Sequence, residues 1–197
     1  MVKIIAISGT HSVGKSTLIN QLKEIELPYR ILFMDETTDH LRELGFRLSK
    51  KVSTGHQFVI LNEDFKRMIL FSEFLKYTKE YDMIITDRSV MDTKAYIEYE
   101  TEAKPYSDES QMLQGVANSL ERQFLSVYNH TFYIPPEIPL VTEGRRSLDE
   151  TFRKRVDLHL IQNLNNQSMF VPFTTIKGSR EERLASILYH LKETSDV

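Results

Sequence analysis

The chain has 197 residues, 41% of them apolar and 27% charged, with seven Gly, six Pro and no Cys, and its formal charge is −3. That balance suits one folded α/β unit and excludes a disordered chain, a disulfide scaffold, thiolate catalysis and Cys-based zinc sites. The slight negative charge gives no global attraction to nucleic acid or anionic membrane, so small-molecule partners are expected, in a reducing compartment such as the cytoplasm.

In chain order, Val2 to Ser8 is an apolar, β-rich run halted by Gly9, the pattern of a strand buried on both faces of a parallel sheet. The run is too short for a signal h-region or a membrane span, so no targeting segment is expected. Lys15 to Ile25 reads as a helix with Leu18, Ile19 and Leu22 on one face. Arg30 to Met34 repeats the short strand pattern and ends in Asp35-Glu36-Thr37-Thr38, followed by a helical stretch His40 to Leu44 that Gly45 would cap. Gly55 to about Lys79 predicts the largest helix, with Phe58, Leu61, Phe65, Met68 and Leu75 at helical spacing and a capping box from Thr54 and Gln57.

Asp82 to Thr86 is the third predicted strand and delivers Asp87-Arg88-Ser89 at its tip, with a helix through Ala95 and Tyr99 beyond. A helix over Gln111 to Val127 leads to a strand at Thr131 to Ile134, closed by Pro135-Pro136 and a loop to Gly144. Ser147 with Glu150 predicts a capping box opening a helix to about Asn165. Phe170 to Ile176 predicts a fifth strand, placed at an edge by Pro172, and Ser179 with Glu182 should cap the last helix. Alternating strands and helices imply a doubly wound parallel sheet with ligands at the strands' carboxyl ends, where the charged clusters fall.

One segment is specific by itself. Gly9-Thr10-His11-Ser12-Val13-Gly14-Lys15-Ser16 matches G-x-x-x-x-G-K-[ST] in full, between a predicted strand and a predicted helix. Through Thr17, this segment is expected to hold a nucleoside triphosphate, ATP or GTP, on main-chain N–H groups at a helix amino terminus. Lys15, an exposed loop charge, should reach the β- and γ-phosphates, and the Ser16 hydroxyl should ligate Mg²⁺. His11 is expected to be an exposed variable position, since the backbone does the binding there.

The remaining chemistry is assigned by position. Asp87 could hold Mg²⁺ or take a proton from an acceptor hydroxyl, or merely cap a helix. Arg88 could fork onto a phosphate, against a plain surface salt bridge. Glu36, with Asp35 beside it, ends a strand expected near the phosphate loop and is a candidate base. Arg145 and Arg146 could be lid residues closing on the γ-phosphate. Gln57 suits acceptor recognition or the capping box equally, and Lys177-Gly178-Ser179 either packs on a nucleobase or simply caps the final helix.

These segments, with Asp87-Arg88-Ser89-Val90-Met91-Asp92, Ala95-Tyr96, Pro135-Pro136-Glu137, Glu143-Gly144-Arg145 and Gly178-Ser179-Arg180-Glu181-Glu182-Arg183 in the same order, resemble the small P-loop kinase-like ATPases related to the ribosylnicotinamide kinase domain, a group near thymidylate and deoxynucleoside kinases. The resemblance covers almost the whole chain. It implies a three-layer P-loop NTPase fold, a five-stranded parallel sheet flanked by helices, forming a single domain over 1–197 with a lid at about 135–155. It also implies metal or acceptor contact for Asp87, acceptor contact for Arg88, and a lid role for Arg145 over Arg146. Where relatives often carry Glu-x-x-Arg after the second strand, this chain has Glu36-Thr37-Thr38-Asp39, which counts against a phosphate-bearing acceptor at that point.

The expected activity is therefore ATP- and Mg²⁺-dependent phosphoryl transfer to a nucleoside, nucleotide or related hydroxyl-bearing small molecule. Two other activities use the same loop. One is a nucleotide-dependent switch with no acceptor. The other is a kinase of hydroxymethylated bases in DNA, which calls for a basic track that the net charge does not advertise.

Overall fold

The structure, a computed structural model, describes residues 2–45, 54–140 and 149–193. Five strands, β1 (Lys3–Ser8), β2 (Ile31–Met34), β3 (Met83–Asp87), β4 (His130–Tyr133) and β5 (Phe173–Thr175), form one all-parallel sheet in the order β2-β3-β1-β4-β5. Around it, among the described residues, lie seven α-helices: α1 (Lys15–Lys23), α2 (Thr37–Glu43), α3 (Thr54–Ile69), α4 (Val90–Thr101), α5 (Asp108–Phe124), α6 (Glu150–Gln167) and α7 (Arg180–Glu193).

The central strands read as continuous apolar runs because both of their faces are covered. Along β1, Ile4 and Ala6 join the core under α3 to α6, whereas Ile5 and Ile7 join the core under α1 and α7. The period of two thus sorts one strand's side chains into two hydrophobic layers. Ile7 lies in register with Asp87 and Ser8 with Tyr133, so the phosphate loop, the Asp87 corner and the end of β4 share one edge of the sheet.

The strand order puts β3 between β1 and β2, and the Glu36 corner comes close to the phosphate loop through side chains, by way of Arg88 and Lys15. Two expectations need correction. The long helix is regular only to Ile69, then widens over Leu70–Phe74 and tightens over Leu75–Tyr77. A wide turn adds a residue and rotates the sequence that follows. Phe71 is accordingly fully buried while Phe74 is exposed, and among the described residues α6 is the longer regular helix. The predicted fifth strand is cut to Phe173–Thr175, with Met169 and Phe170 on the surface.

Pro172 does mark an edge strand: it precedes β5 and offers only its carbonyl, which Thr131 N–H meets at 3.0 Å. The first helical turn of α6 is capped by Asp149, whose carboxylate accepts from the Thr151 and Phe152 N–H groups at 2.9 and 3.0 Å. Glu150 pairs with Arg153, and Ser147, on which the predicted capping box rests, lies outside the described residues. The predicted capping of α7 holds, with Ser179 N–H donating to Glu182 and Glu182 N–H to the Ser179 hydroxyl.

Candidate functional site

The turn from β1 into α1 is built around its glycines. Gly9 has φ of +150°, and a Cβ there would meet the Ile134 carbonyl oxygen at 2.6 Å, so only glycine lets the loop pass that close to the end of β4. Gly14, at φ +93°, is the N-cap of α1 and turns the helix's free N–H groups toward the loop's interior. Ser12 adopts a left-handed conformation without being glycine, at φ +60°, a local strain of the kind found at ligand-binding turns.

Lys15 is not the exposed charge expected from sequence. It is 5% exposed, and its ammonium donates to the carbonyls of Gly9 at 2.8 Å and Thr10 at 2.9 Å. Burial, reinforced by the nearby Arg88 guanidinium, lowers its pKa to about 8. His11 is likewise buried, correcting its assignment as an exposed position. Its ring stacks on Phe152 with centroids 5.4 Å apart, and its main-chain N–H donates to the Tyr96 hydroxyl at 3.2 Å. The middle of the loop is thus pinned to the first turn of α6 and to α4.

At the tip of β3, Asp87 Oδ2 accepts from the Ser16 hydroxyl at 3.2 Å, while Oδ1 is buried with no hydrogen-bond partner among the described residues. Burial raises the Asp87 pKa, and the Glu36 and Asp92 carboxylates push the same way against Lys15 and Arg88. A hydroxyl beside a carboxylate with an unused buried oxygen is a hard-oxygen pair suited to Mg²⁺, which takes one or two protein ligands and completes its shell with phosphates and water. Asp87 is not the helix cap. That job falls to Ser89, whose main-chain N–H and hydroxyl both donate to Asp92 Oδ2 at 2.9 Å in a capping box.

Arg88 is no surface salt bridge either: its side chain is 15% exposed and turned inward from a left-handed φ of +76°. Nη1 donates to the Gly9 carbonyl at 3.1 Å, and the guanidinium carbon lies 5.3 Å from the centre of the Tyr96 ring. Nε stands 2.9 Å from Glu36 Oε1 but misses hydrogen-bond alignment, so this pairing is coulombic. Burial would raise the Glu36 carboxyl, but Arg88, Lys15 and the Thr38 hydroxyl at 2.6 Å outweigh it and hold the pKa at about 2. Asp35 points elsewhere, to Lys23 at 3.2 Å on the surface.

A cleft of about 200 Å³ opens on the other side of the loop, lined among others by Gly14, Thr17, Ile138, Gly178 and Ser179. Gly178 takes φ +90°, a conformation other residues adopt only with strain, and a Cβ there would displace the Glu182 carboxylate, whose Oε2 would lie 2.3 Å away. Lys177 is exposed in the same turn. Gln57 is buried in the first turn of α3, where Thr54's side chain lies outside the described residues. Arg145 and Arg146 also lie outside them.

Several site residues carried no role in the sequence reading. Asp92 Oδ1 accepts from Gly9 N–H at 3.0 Å and so anchors the loop's first turn to α4. Its signal was present as the Ser89-x-x-Asp92 capping pattern. Arg183 spans three partners, donating to the carbonyls of Val13 at 2.7 Å and Gly178 at 2.8 Å and to Glu137 at 3.1 Å. It ties the phosphate loop to the cleft wall, and no local pattern announces that reach.

Comparison with known proteins bears on the family and the fold. The chain matches, over residues 4–183, a family described as an AAA domain. No curated protein sequence matches it. Among solved structures it resembles thymidylate kinase from Candida albicans, at 17% identity over 99% of this chain and 92% of the other, with a TM-score of 0.64. It resembles NadR protein in complex with NAD and AMP-PNP, at 16% identity over 100% of this chain and 50% of the other, with a TM-score of 0.70. It also resembles deoxyadenosine kinase from M.mycoides, at 18% identity over 96% and 99%, with a TM-score of 0.62. At such identities the solved structures speak to the fold alone. The family match spans most of the chain: this protein belongs to the AAA-domain family of P-loop proteins, on a P-loop kinase-like fold.

Proposed function

We propose that the protein is an ATP- and Mg²⁺-dependent phosphotransferase of the cytoplasm, moving the γ-phosphoryl group to a hydroxyl of a nucleoside, nucleotide or related small molecule. The observation that carries the reading is the meeting at one sheet edge of a complete phosphate loop, the Ser16–Asp87 oxygen pair and the Glu36–Arg88 pair.

In this reading the loop N–H groups and Lys15 hold the triphosphate, and the nucleobase occupies the cleft beside Gly178 and Ser179. Ser16 and Asp87 would hold Mg²⁺, which when bound neutralises charge on the β- and γ-oxygens. Lys15 exchanges the Gly9 and Thr10 carbonyls for phosphate oxygens. Glu36, ionised at neutral pH, accepts a hydrogen bond from the acceptor hydroxyl and aims its oxygen in line with the phosphorus. The new O–P bond forms as the β–γ bridging bond breaks, and the hydroxyl proton passes late to the carboxylate. A loose transition state tolerates so weak a base because the attacking oxygen needs little activation. Arg88 attracts Glu36 by charge and stands within reach of the transferring group, while Arg145 and Arg146 would complete the charge from the lid.

The test is a product screen with Mg-ATP or Mg-GTP and pooled nucleosides, nucleotides, pyridine nucleosides and hydroxymethylated DNA, read by mass. A phosphorylated product from one compound class is expected, since alignment of an acceptor can supply ~7–11 kcal/mol of the barrier. Equal slow phosphate release in every pool would favour a nucleotide switch, and product from the DNA pool alone would favour a DNA kinase.

A further inference from the structure

Glu36 occupies a place that local structure holds poorly. It lies between β2, a four-residue edge strand that is only half-buried throughout, and α2, a seven-residue helix that is too short to be stable by itself. Its carboxylate accepts from the Thr38 hydroxyl at 2.6 Å, but Thr38 belongs to that same short helix, and the Glu36 pairing with Arg88 lacks hydrogen-bond alignment. A group that must orient a hydroxyl needs its position set to within ~0.5 Å, which calls for outside support.

That support comes from one face of α3. Asp64, 7% exposed, accepts from the Thr37 hydroxyl at 2.6 Å with one oxygen and from the Thr93 hydroxyl of α4 at 2.5 Å with the other. One turn on, Arg67 Nη2 donates to the Asp35 main-chain carbonyl at 2.6 Å. The residues before and after Glu36 are therefore both gripped by α3, and through Thr93 the grip extends to the helix that follows Arg88. Asp64, Arg67, Glu36 and Arg88 line one cavity of about 30 Å³, room for a single small group. Burying a carboxylate is costly unless its oxygens are met, and here two hydroxyls from different helices meet them.

We propose that Asp64, assisted by Arg67, is the positioning residue that sets the Glu36 carboxylate against Arg88 and the acceptor hydroxyl. The inference rests on the reading of Glu36 given above. It treats the Thr37–Asp64–Thr93 bridge as part of the acceptor machinery, acting through Glu36 and touching no substrate.

The experiment uses the full chain with Glu side-chain carboxyls ¹³C-labelled, in wild type, Asp64→Asn, Asp64→Ala and Thr37→Val, the last as the variant that removes one arm should Asp64→Ala fail to fold. The Glu36 resonance at neutral pH should move in every variant, least in Asp64→Asn, which keeps one acceptor oxygen. With the acceptor found in the product screen, kcat should fall ~10–100-fold in Asp64→Ala, as for other groups that orient a reacting ligand, with the KM for ATP little changed. In a Glu36→Gln background the same substitution should cost almost nothing further, because the two act as a unit. A Glu36 resonance that stays in place overturns the proposal, as do losses that simply multiply with those of Glu36→Gln. If no pool yields a phosphorylated product, the phosphotransferase reading falls while the resonance still decides whether Asp64 positions Glu36.

Discussion

On the nucleotide side of the site the groups that would meet an anion are main-chain N–H groups, and the side chains serve mostly to shape the turn. Gly9 and Gly14 supply conformations no other residue adopts cheaply, and Asp92 and Arg183 fasten the turn to α4 and to the β5–α7 corner. On the proposed acceptor side every group is a side chain. Glu36 and Thr37 come from the start of α2, Asp64 from α3, Thr93 from α4 and Arg88 from the corner between β3 and α4. The first design depends on one short stretch of chain, whereas the second depends on how β2, α2, α3 and α4 pack. Damage should therefore spread differently: a change in the loop abolishes nucleotide handling, and a change in the cluster spares nucleotide and removes transfer.

The largest effect is expected from Lys15→Ala, the point at which the loop does rely on a side chain. Loss of a donor aimed at developing phosphate charge should lower turnover ~10³-fold. Removal of Lys15 relieves the desolvation of a buried cation but leaves the Gly9 and Thr10 carbonyls unmet and the Glu36 and Asp87 carboxylates short of a counter-charge, so the melting temperature should fall modestly while the fold persists. A large drop in melting temperature would make Lys15 a structural brace for the Gly9 and Thr10 carbonyls. Next, Asp87→Asn should cost ~10²-fold in kcat and raise the Mg²⁺ concentration needed, with nucleotide binding in EDTA retained. Equal loss with and without metal would remove Asp87 from the metal site.

Glu36→Gln sharpens the contrast further. It should lower kcat ~10–100-fold while the KM for ATP stays within about twofold of wild type. A matched rise in the KM for ATP would place Glu36 on the nucleotide side. A smaller effect is expected from Gly178→Ala, which tests the cleft wall. The new methyl group meets Glu182 Oε2 and a φ of +90°, so the α7 cap must shift at a cost of about 1–2 kcal/mol. The expected result is a several-fold weaker affinity for nucleotide with kcat intact, measured by titration calorimetry and steady-state kinetics.

The same asymmetry explains what could be read from sequence. The phosphate loop, the five strands and the capping of α7 were legible because each is encoded within a few consecutive residues. The order of the strands is not local: β3 inserts between β1 and β2, so Glu36 comes close to the loop through the Arg88 and Lys15 side chains and not through neighbouring strands. The exposure of Lys15 and His11 was misjudged for a related reason. Both are polar residues in a glycine turn, and only the packing of Phe152 and Tyr96 from distant helices buries His11. Phe65 and Leu75 share a helical period on paper, but a single wide turn after Ile69 intervenes, and nothing in their spacing signals it.

The smallest expected effect belongs to neither half and provides the control for both. His130 begins β4 at the amino end of the sheet, opposite the phosphate loop. It shares a hydrogen bond of 3.0 Å with the Thr174 hydroxyl and stacks on His190 at 5.9 Å. Burial, with some help from His190, lowers its pKa from 6.5 to about 4. Between those values the unfolded chain binds a proton that the folded chain refuses. Stability is therefore complete above pH 6.5 and declines as the pH falls toward 4. Full conversion of the shift at ~1.4 kcal/mol per unit would overstate the effect, because the ring is only partly buried, so a decline of about 1–2 kcal/mol is expected. His130→Gln can keep a hydrogen bond to Thr174 but does not titrate. Denaturant unfolding at pH 7 and pH 5 should show a smaller difference for this variant than for wild type. Saturating Mg-ATP should raise both curves without changing their separation, since the nucleotide binds at the other end of the strands. If nucleotide abolished the difference instead, His130 would be coupled to the loop through β4, and the separation of the site from the amino end of the sheet would fail.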